Sequence, residues 1–278
     1  MTTTIANLIE ARFGLPAAAG HDTPAGGTLA ALLTRRVHRS YKDEPIPEPL
    51  MEAVLAAALS APSKSDLQQV AVIRVVDKAR HLRIAGLIPS MPWIATAPAF
   101  LVFCGDNRRI RRLAELRGKP FPNDNLDQFM NAAVDAGIVL ATFLVAAQAV
   151  GLGCCPISVI RDHVAEVSRL LELPEGVFPV AGLCVGFPAH DGKLSMRLPM
   201  ALTVHTDRYD DSRLPEEVGK YDARRGAREP IAREKQRYVG EFGFTDAYGW
   251  SEDKARHYSH PERADFGEFI RRHGFKLA

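Results

Sequence analysis

The longest apolar stretch of this 278-residue chain lies near its middle, over about residues 125–150. Residues 136–153 are apolar apart from one Thr and one Gln, and Asp135 immediately precedes them. A membrane span needs about 20 clean apolar residues, and this run falls short of that length. We therefore predict a buried core helix here, ended by Gly151 and Gly153.

Four shorter runs are typical of strands that alternate with helices. The strand-like runs cover residues 70–76, 99–104, 154–157 and 177–186. Helices are predicted at 5–13, at 29–36 after a Thr28 cap, at 49–60, at 78–86, and from an Asp162 cap to about Leu171. Strands separated by helices are typical of the α/β or the α+β class.

Charge and cysteine content exclude several classes of protein. The 35 basic and 33 acidic side chains give a net charge of +2, which provides no global reason to bind nucleic acid or an anionic membrane. The N-terminus lacks a basic region followed by an apolar run, so we expect a cytoplasmic protein. The cysteines lack zinc spacing, so no metal is predicted and buried free thiols are expected. They are Cys104, Cys154, Cys155 and Cys184.

Composition divides the chain into three parts. Residues 1–27 are rich in Gly, Pro and Ala and are typical of an arm or linker. Residues 28–202 hold the predicted strands and form the core. Residues 203–278 are rich in Arg, Glu, Asp, Tyr and Gly, with helices predicted at 230–238 and 261–273. We expect this C-terminal arm to pack on the core or on a partner subunit.

Three segments carry candidate chemistry. Arg35, Arg36 and Arg39 form a guanidinium cluster before a Pro-bounded turn, which suits a phosphate but, taken alone, is more typical of a solvated helix end. The segment "APSKSDLQ" at 61–68 is a polar loop that could wrap a ring edge. The segment "GLGCCPIS" at 151–158 allows close backbone approach to a flat ligand.

Taken in order, these motifs resemble the nitroreductase family of flavoenzymes. The matching run is the Arg-rich opening, "DEPIP", "APSKSDLQ", "FLVFCGD", "GLGCCPISVIRD", "LLELPEGVFPVAGLCVGFP" and "RLP". The tail motifs "VHTDRYDD", "YDARR", "WSEDKARH" and "ERADFGEFIRRHGF" resemble the oxygen-insensitive, NADPH-dependent nitroreductase and flavin reductase branch. The resemblance covers about residue 29 to the C-terminus. It implies an α+β fold, a mixed sheet surrounded by helices, with residues 28–202 as an FMN-binding core and an extended C-terminal arm.

The resemblance also implies a homodimer with FMN at the interface, and it implies which residues contact the flavin. These residues are Arg35, Arg36, Val37, Arg39, Ser63, Ser65, Pro156, Ile157, Ser158 and Arg197. The arginines would face the phosphate, the serine loop would cover the flavin, and the 156–158 backbone would line the ring near N5. No catalytic side chain is expected, because catalysis would depend on positioning and on flavin electronics.

The chain departs from the family pattern at several positions. Val37 replaces a hydroxyl or amide, Ser158 and Val159 replace a glycine pair, and Ser195 replaces a lysine two residues before Arg197. The side chains of Ser158 and Val159 could crowd the N5 face and change the range of substrates.

The predicted activity is ping-pong hydride transfer from NADPH or NADH, through flavin N5, to nitroaromatic, quinone or flavin acceptors. Arg224, Arg225 and Arg228 are predicted to lie in a mobile loop that contacts NADPH, with a solvated charged loop as the alternative. Three other functions stay open: a flavin-binding carrier or sensor with little turnover, a reductive enzyme for a specific metabolite, and a thiol-redox protein using Cys154 and Cys155.

Overall fold

The computed structural model describes residues 2–276. Its helices are α1 Ile5–Phe13, α2 Gly27–Thr34, α3 Glu48–Leu59, α4 Lys78–Gly86, α5 Trp93–Thr96, α6 Arg108–Leu116, α7 Leu126–Ala149, α8 Val164–Leu170, α9 Leu214–Arg228, α10 Val239–Phe242, α11 Trp250–His257 and α12 Phe266–Arg272. Its strands are β1 Val70–Arg74, β2 Ala99–Asp106, β3 Gly153–Ile157 and β4 Val177–Gly186.

The strands form one sheet in the order β1-β2-β4-β3, and each neighbouring pair is antiparallel. Successive residues of β2 face opposite sides: Leu101 and Phe103 join one core cluster, while Phe100, Val102 and Cys104 join another. Both faces of the sheet are therefore buried, which explains why each strand is a continuous apolar run in the sequence. Helices on an antiparallel sheet define the α+β class, so the predicted class is confirmed. The predicted mixed sheet was wrong, because every strand pair within residues 2–276 is antiparallel.

Helices α3 and α7 cover the face that carries Leu101. Val54 of α3 and Val139, Phe143 and Ala147 of α7 are buried in this cluster. The Phe143 ring lies edge-on to the Phe103 ring, with centroids 5.7 Å apart. Helices α4 and α8 cover the opposite face. The sheet is thus held between two helical layers, and its strand ends are fixed in space.

Helix α7 is a core helix on one face only. By length and composition it is the one helix within residues 2–276 that could cross a membrane. Seven of its residues are buried in the protein, among them the polar Gln128 and Asp135. On its other side Leu126, Met130 and Val134 are 51%, 61% and 46% exposed. The prediction of a buried helix is therefore confirmed for the sheet-facing side alone.

Two compact units make up the chain. One contains Met1–Thr34 and Leu194–Glu262, and the other contains Arg35–Lys193 and Arg263–Ala278. These boundaries differ from the predicted ones at 27/28 and 202/203. The last segment joins the second unit because Phe269, Ile270 and Phe275 are buried against Phe178 of β4.

Several predicted helix ends were wrong. Thr28 is not a cap, because α2 already begins at Gly27, and Asp162 lies in a 3₁₀ turn before α8. Residues 230–238 form only a 3₁₀ turn, and Tyr238 has a left-handed φ of 50° that starts the short α10. Helix α9 occupies a stretch where no helix was predicted, since its apolar residues are few.

Candidate functional site

The arginine-rich segment is held against the adjoining ends of β3 and β4 by backbone hydrogen bonds. The amide of His38 donates to the Cys154 carbonyl over 3.0 Å, and the amide of Lys42 donates to the Phe187 carbonyl over 2.8 Å. The Tyr41 hydroxyl donates to the His38 carbonyl over 2.7 Å. Residues 38–42 therefore have a fixed path across the sheet, although they belong to no helix.

Two glycines make this path possible. Gly153 of β3 and Gly186 of β4 are register partners. A Cβ on Gly153 would lie 2.8 Å from Cγ of His38, and one on Gly186 would lie 2.8 Å from a ring carbon of Tyr41. Any larger residue at either position would push the arginine segment away from the sheet.

Two buried polar atoms in this segment have no hydrogen-bond partner in the described part of the chain. They are Nε of Arg36 and Nδ1 of His38. Burial, together with the charge of Arg36, lowers the pKa of His38 below its ordinary 6.5, so the imidazole is neutral at pH 7. Unsatisfied buried polar groups in a native fold call for a ligand or a water. An anion beside a guanidinium fits these atoms.

The remaining arginines differ in exposure. Arg39 is exposed, and its guanidinium carbon lies 5.2 Å from the centre of the Trp93 ring. Nη1 of Arg36 lies 3.9 Å from Oδ1 of Asp191, whose side chain is exposed. Val37 packs against the core, and its carbonyl oxygen lies where a Cβ on Gly192 would clash. The guanidiniums of Arg36 and Arg39 thus remain accessible to a phosphate.

The end of β3 presents backbone rather than side chains. Pro156 has no N–H, and the Ile157 side chain is buried, so the first exposed residue is Ser158. Val159, the second member of the missing glycine pair, packs partly buried against the core cluster. Only Ser158 therefore has the exposure to crowd a ligand at this point.

The serine loop, which carries Ser63 and Ser65, precedes β1. Strand β1 is at the opposite edge of the sheet from β3, and the loop is at the opposite end of the strands from the arginine segment. The loop leads into Val70 of β1, which pairs in register with Gly105 of β2, and Gly105 pairs with Phe178 of β4. Cys154 of β3, by contrast, pairs with Val185 of β4. Three strand spacings separate β1 from β3 by about 14 Å, and the register adds about 20 Å along the strands. Ser63 and Ser65 are therefore not brought together with Arg36 and Pro156 within one chain.

Arg197 belongs to the other unit, where it lines a cavity of about 450 Å³. Its Nη1 donates to the Ser195 hydroxyl over 3.0 Å, so the serine that replaces the family's lysine holds this guanidinium. Arg225, Tyr221 and Trp250 line the same cavity. The structure thus brings together Arg197 and Arg225, two arginines predicted to contact different ligands.

The prediction that Arg224, Arg225 and Arg228 lie in a loop was wrong, because all three are in the last two turns of α9. Arg225 donates to the Tyr221 hydroxyl over 2.8 Å, and Arg228 donates to the Ala11 carbonyl over 2.6 Å. The helix forms because Tyr221 is buried and anchors it to its own unit. Nε and one terminal nitrogen of Arg224 are buried without a partner among residues 2–276.

The cysteines are buried and free. Burial raises the pKa of Cys104 and of Cys154 to about 12, and it also raises the pKa of Cys155 and Cys184. Thiols with raised pKa values are poor nucleophiles. The arrangement favours packing thiols over the thiol-redox hypothesis.

Sequence reasoning missed a buried carboxylate beside the serine loop. Asp135 is 1% exposed, and it accepts backbone hydrogen bonds from Lys64 and Gln69. The available signal was its helical spacing with the buried Ala132, Ala136 and Val139, which places a charge on the apolar face of α7.

Comparisons with known proteins agree with the sequence motifs. Residues 32–187 match the sequence model of the nitroreductase family, and residues 195–278 match that of the nitroreductase family C-terminal domain. An FMN reductase [NAD(P)H] of Bacillus subtilis is 35% identical over 90% of this chain and 98% of its own length. An oxygen-insensitive NADPH nitroreductase of Salmonella typhimurium is 34% identical over 72% of this chain and 84% of its own.

Solved structures are similar over most of the chain. That of NfrA2 from B. megaterium has a TM-score of 0.81 and 32% identity, covering 90% of this chain and 98% of its own. That of an NADPH:FMN oxidoreductase from Vibrio harveyi complexed with NAD+ has a TM-score of 0.77 and 27% identity, covering 89% of this chain and 98% of its own.

Proposed function

The chain belongs to the nitroreductase family, as its motifs predicted, and we propose that it is an FMN-dependent NAD(P)H oxidoreductase. The electron donor is a reduced nicotinamide dinucleotide, and the acceptor is a small molecule such as a nitroaromatic, a quinone or a free flavin. The relatives named as an FMN reductase and as an NADPH nitroreductase support this activity. Location in the cytoplasm stays a prediction.

One observation of the fold carries the proposal. Among residues 2–276, Nε of Arg36 and Nδ1 of His38 are buried without a hydrogen-bond partner, and the exposed Arg39 belongs to the same segment. Two cations and an unpaired ring nitrogen fit a phosphate-bearing cofactor better than a neutral ligand. FMN, when bound, would supply the redox chemistry by accepting a hydride and passing on two electrons.

The protein's own groups would bind and orient the cofactor. Arg36 and Arg39 would donate hydrogen bonds to the phosphate, while His38 holds the segment on β3 through the bond from its amide to Cys154. Because Pro156 has no N–H, any backbone hydrogen bond from residues 156–158 to the flavin ring would come from the amide of Ile157 or Ser158. No side chain in this set needs to gain or lose a proton during turnover.

A second copy of the chain completes the site in this proposal. The serine loop is at the far edge and end of the sheet from Arg36, so the Ser63 and Ser65 that meet one flavin come from the partner subunit. The exposed apolar stripe of Leu126, Met130 and Val134 on α7 supports a homodimer, because such a stripe is unfavourable in water.

The remaining site residues stay predictions. Arg35 and Val37 belong to the arginine segment, and Val37 would contribute its backbone. Arg197 keeps its predicted FMN contact and Arg224 its predicted NADPH contact. Arg225 and Arg228 already have protein acceptors, so their contact with NADPH requires these bonds to be exchanged.

The first test is the visible spectrum of the purified protein, followed by anaerobic addition of NADPH. We expect flavin bands that bleach, and then recover when a quinone is added. A colourless protein that takes up no added FMN would overturn the proposal. Bands that bleach without turnover on any acceptor would favour the carrier or sensor instead.

The phosphate contacts are tested by Arg36→Ala with Arg39→Ala. Each lost charged hydrogen bond costs about 1.5–3 kcal/mol, so FMN affinity should fall at least a hundredfold in the double variant. Arg112→Ala is the control, because Arg112 lies on α6 and pairs with Glu115. Equal FMN affinity in the double variant and the control would show that the phosphate binds elsewhere.

The dimer is tested by Met130→Lys, with light scattering as the readout. A lysine in the middle of the α7 stripe should give a monomer with weak FMN binding. Leu116→Lys on α6 is the control, since Leu116 is also exposed but lies off the stripe. A dimer that persists in Met130→Lys would place the interface on another surface.

A further inference from the structure

The loop that carries Ser63 and Ser65 has a strained backbone. Ser65, Asp66 and Gln68 have left-handed φ values of 51°, 57° and 50°, and none of them is a glycine. Such conformations cost energy in L-residues and persist only where surrounding contacts fix them. The loop therefore needs an external restraint to keep this shape.

Asp135 supplies that restraint from α7. Its Oδ2 accepts a hydrogen bond from the Gln69 amide over 2.9 Å, and its Oδ1 accepts one from the Lys64 amide over 3.3 Å. One carboxylate thus binds both ends of the strained segment, at a site that is 1% exposed. Each carboxylate oxygen faces a backbone N–H, so both oxygens are satisfied there without a cation.

Further contacts close the loop from other directions. Arg109 of α6 donates to the Gln68 carbonyl over 2.6 Å and to the Val70 carbonyl over 3.0 Å. Within the loop, the Gln68 amide donates to the Ser63 hydroxyl over 2.7 Å. The hydroxyl oxygen of Ser63 therefore accepts a hydrogen bond within the loop, and the hydroxyl hydrogen can be donated to a second acceptor.

The Gln69 side chain anchors the same point in the core. Its Nε2 donates to Oδ1 of Asn107 over 2.9 Å and to Oε1 of Gln128 over 3.0 Å. Gln128 and Asp135 lie two turns apart on α7, so one helix face holds Gln69 through both its side chain and its amide. Any shift of α7 would be passed directly to the loop.

We propose that Asp135 is a positioning residue for the flavin, which fixes the Ser63–Gln69 loop in the conformation that the partner subunit's site requires. The inference rests on the proposed function, since it takes FMN as the ligand that the loop meets. Lys64 and Ser65 are exposed on the loop, where they can reach a neighbouring copy. Asp135 itself stays buried and does not touch the ligand.

The test compares Asp135→Asn with Asp127→Asn. Asparagine keeps the size of Asp135 but turns an N–H₂ toward a backbone N–H, so one end of the loop is released. Asp127 is the matched control, because it is exposed on the same helix and lies 4.0 Å from the Lys64 ammonium. A general effect of lost charge near the loop would appear in both variants.

Two readouts separate positioning from stability. In FMN-free protein, we expect peptides spanning 60–70 to exchange amide hydrogens at least tenfold faster in Asp135→Asn, with sheet peptides unchanged. We expect the Kd for FMN to rise at least tenfold, while kcat at saturating FMN stays within twofold. Asp127→Asn should match the wild type in both.

Each other outcome overturns the inference. Unchanged exchange would show that the carboxylate does not hold the loop, and faster exchange with unchanged FMN affinity would show that the loop does not serve the flavin. If Asp135→Asn fails to fold, Arg109→Gln releases the loop from the other side, with the same expectations and the same refutations. A wild type that binds no FMN would refute the proposed function, whereas the exchange result would still stand.

Discussion

The substitution Gly153→Ala tests whether the arginine segment is packed tightly on β3. The new Cβ would lie 2.8 Å from Cγ and 2.9 Å from Nδ1 of His38. Carbon atoms in contact normally lie about 3.5–4.0 Å apart, so His38 must move by about 0.7 Å or more. That movement strains the 3.0 Å hydrogen bond from the His38 amide to Cys154, which holds the segment to the strand.

The magnitude follows from three contributions. Overpacking costs about 1–3 kcal/mol. A weakened backbone hydrogen bond costs about 0.5–1.5 kcal/mol. Loss of glycine freedom in the unfolded chain offsets about 0.5–1 kcal/mol. The net loss is about 2 kcal/mol, which corresponds to a fall in Tm of about 3–4 °C for a protein of this size.

The assay is thermal unfolding of the FMN-free protein, together with FMN titration. We expect the lower Tm and weaker FMN binding, because Arg36 moves with His38. Gly86→Ala at the end of α4 is the control, because no described atom outside its own helix and chain neighbours lies within 4 Å of the added Cβ. Its Tm should equal that of the wild type or rise slightly, through the same loss of glycine freedom in the unfolded chain. In a His38→Gly background, which removes the Cβ as well as the ring of residue 38, the cost of Gly153→Ala should largely disappear. A Tm within 1 °C of the wild type, or an undiminished cost in that background, would refute the tight packing.

Three further predictions concern the core. The double variant Cys154→Ser with Cys155→Ser should keep its NADPH oxidation rate within about twofold, since raised thiol pKa values make these groups poor nucleophiles, and steady-state assays would detect a loss. Phe143→Ala should cost about 3–5 kcal/mol in urea unfolding, because a fully buried ring is removed, and a loss under 1 kcal/mol would contradict its placement. His81 is buried with Nε2 2.7 Å from the Ile94 carbonyl, and burial lowers its pKa from 6.5. Because its pKa is higher, the unfolded chain binds the proton first as pH falls below about 6.5. The contribution of neutral His81 to the free energy of unfolding is therefore complete above that pH, and it is lost as pH falls through the lowered folded-state pKa. His81→Gln should flatten this part of the Tm profile, and an unchanged slope would assign it to another group.

Much of the secondary structure follows from local pattern. The bounds of α1, α4 and β4 match the sequence prediction, because each depends on a pattern within its own segment. Turn residues and caps bound the two helices, and β4 is a continuous apolar run because both of its faces are buried. Helix α9 and the 3₁₀ turn at Arg233–Lys235 could not be predicted in this way. Their residues are mostly charged, and the helix depends on one buried residue, Tyr221.

The α+β class, the core helix and the family follow from the amino-acid sequence alone, because the order of the motifs is specific even where each motif is weak. The sequence also located the arginine segment and the serine loop along the chain. Their positions at opposite ends of one sheet could be seen only in the fold, since register and strand order are non-local. The same holds for the position of Asp135 under the loop, because a carboxylate on an apolar helix face acquires its partners only when the helix docks.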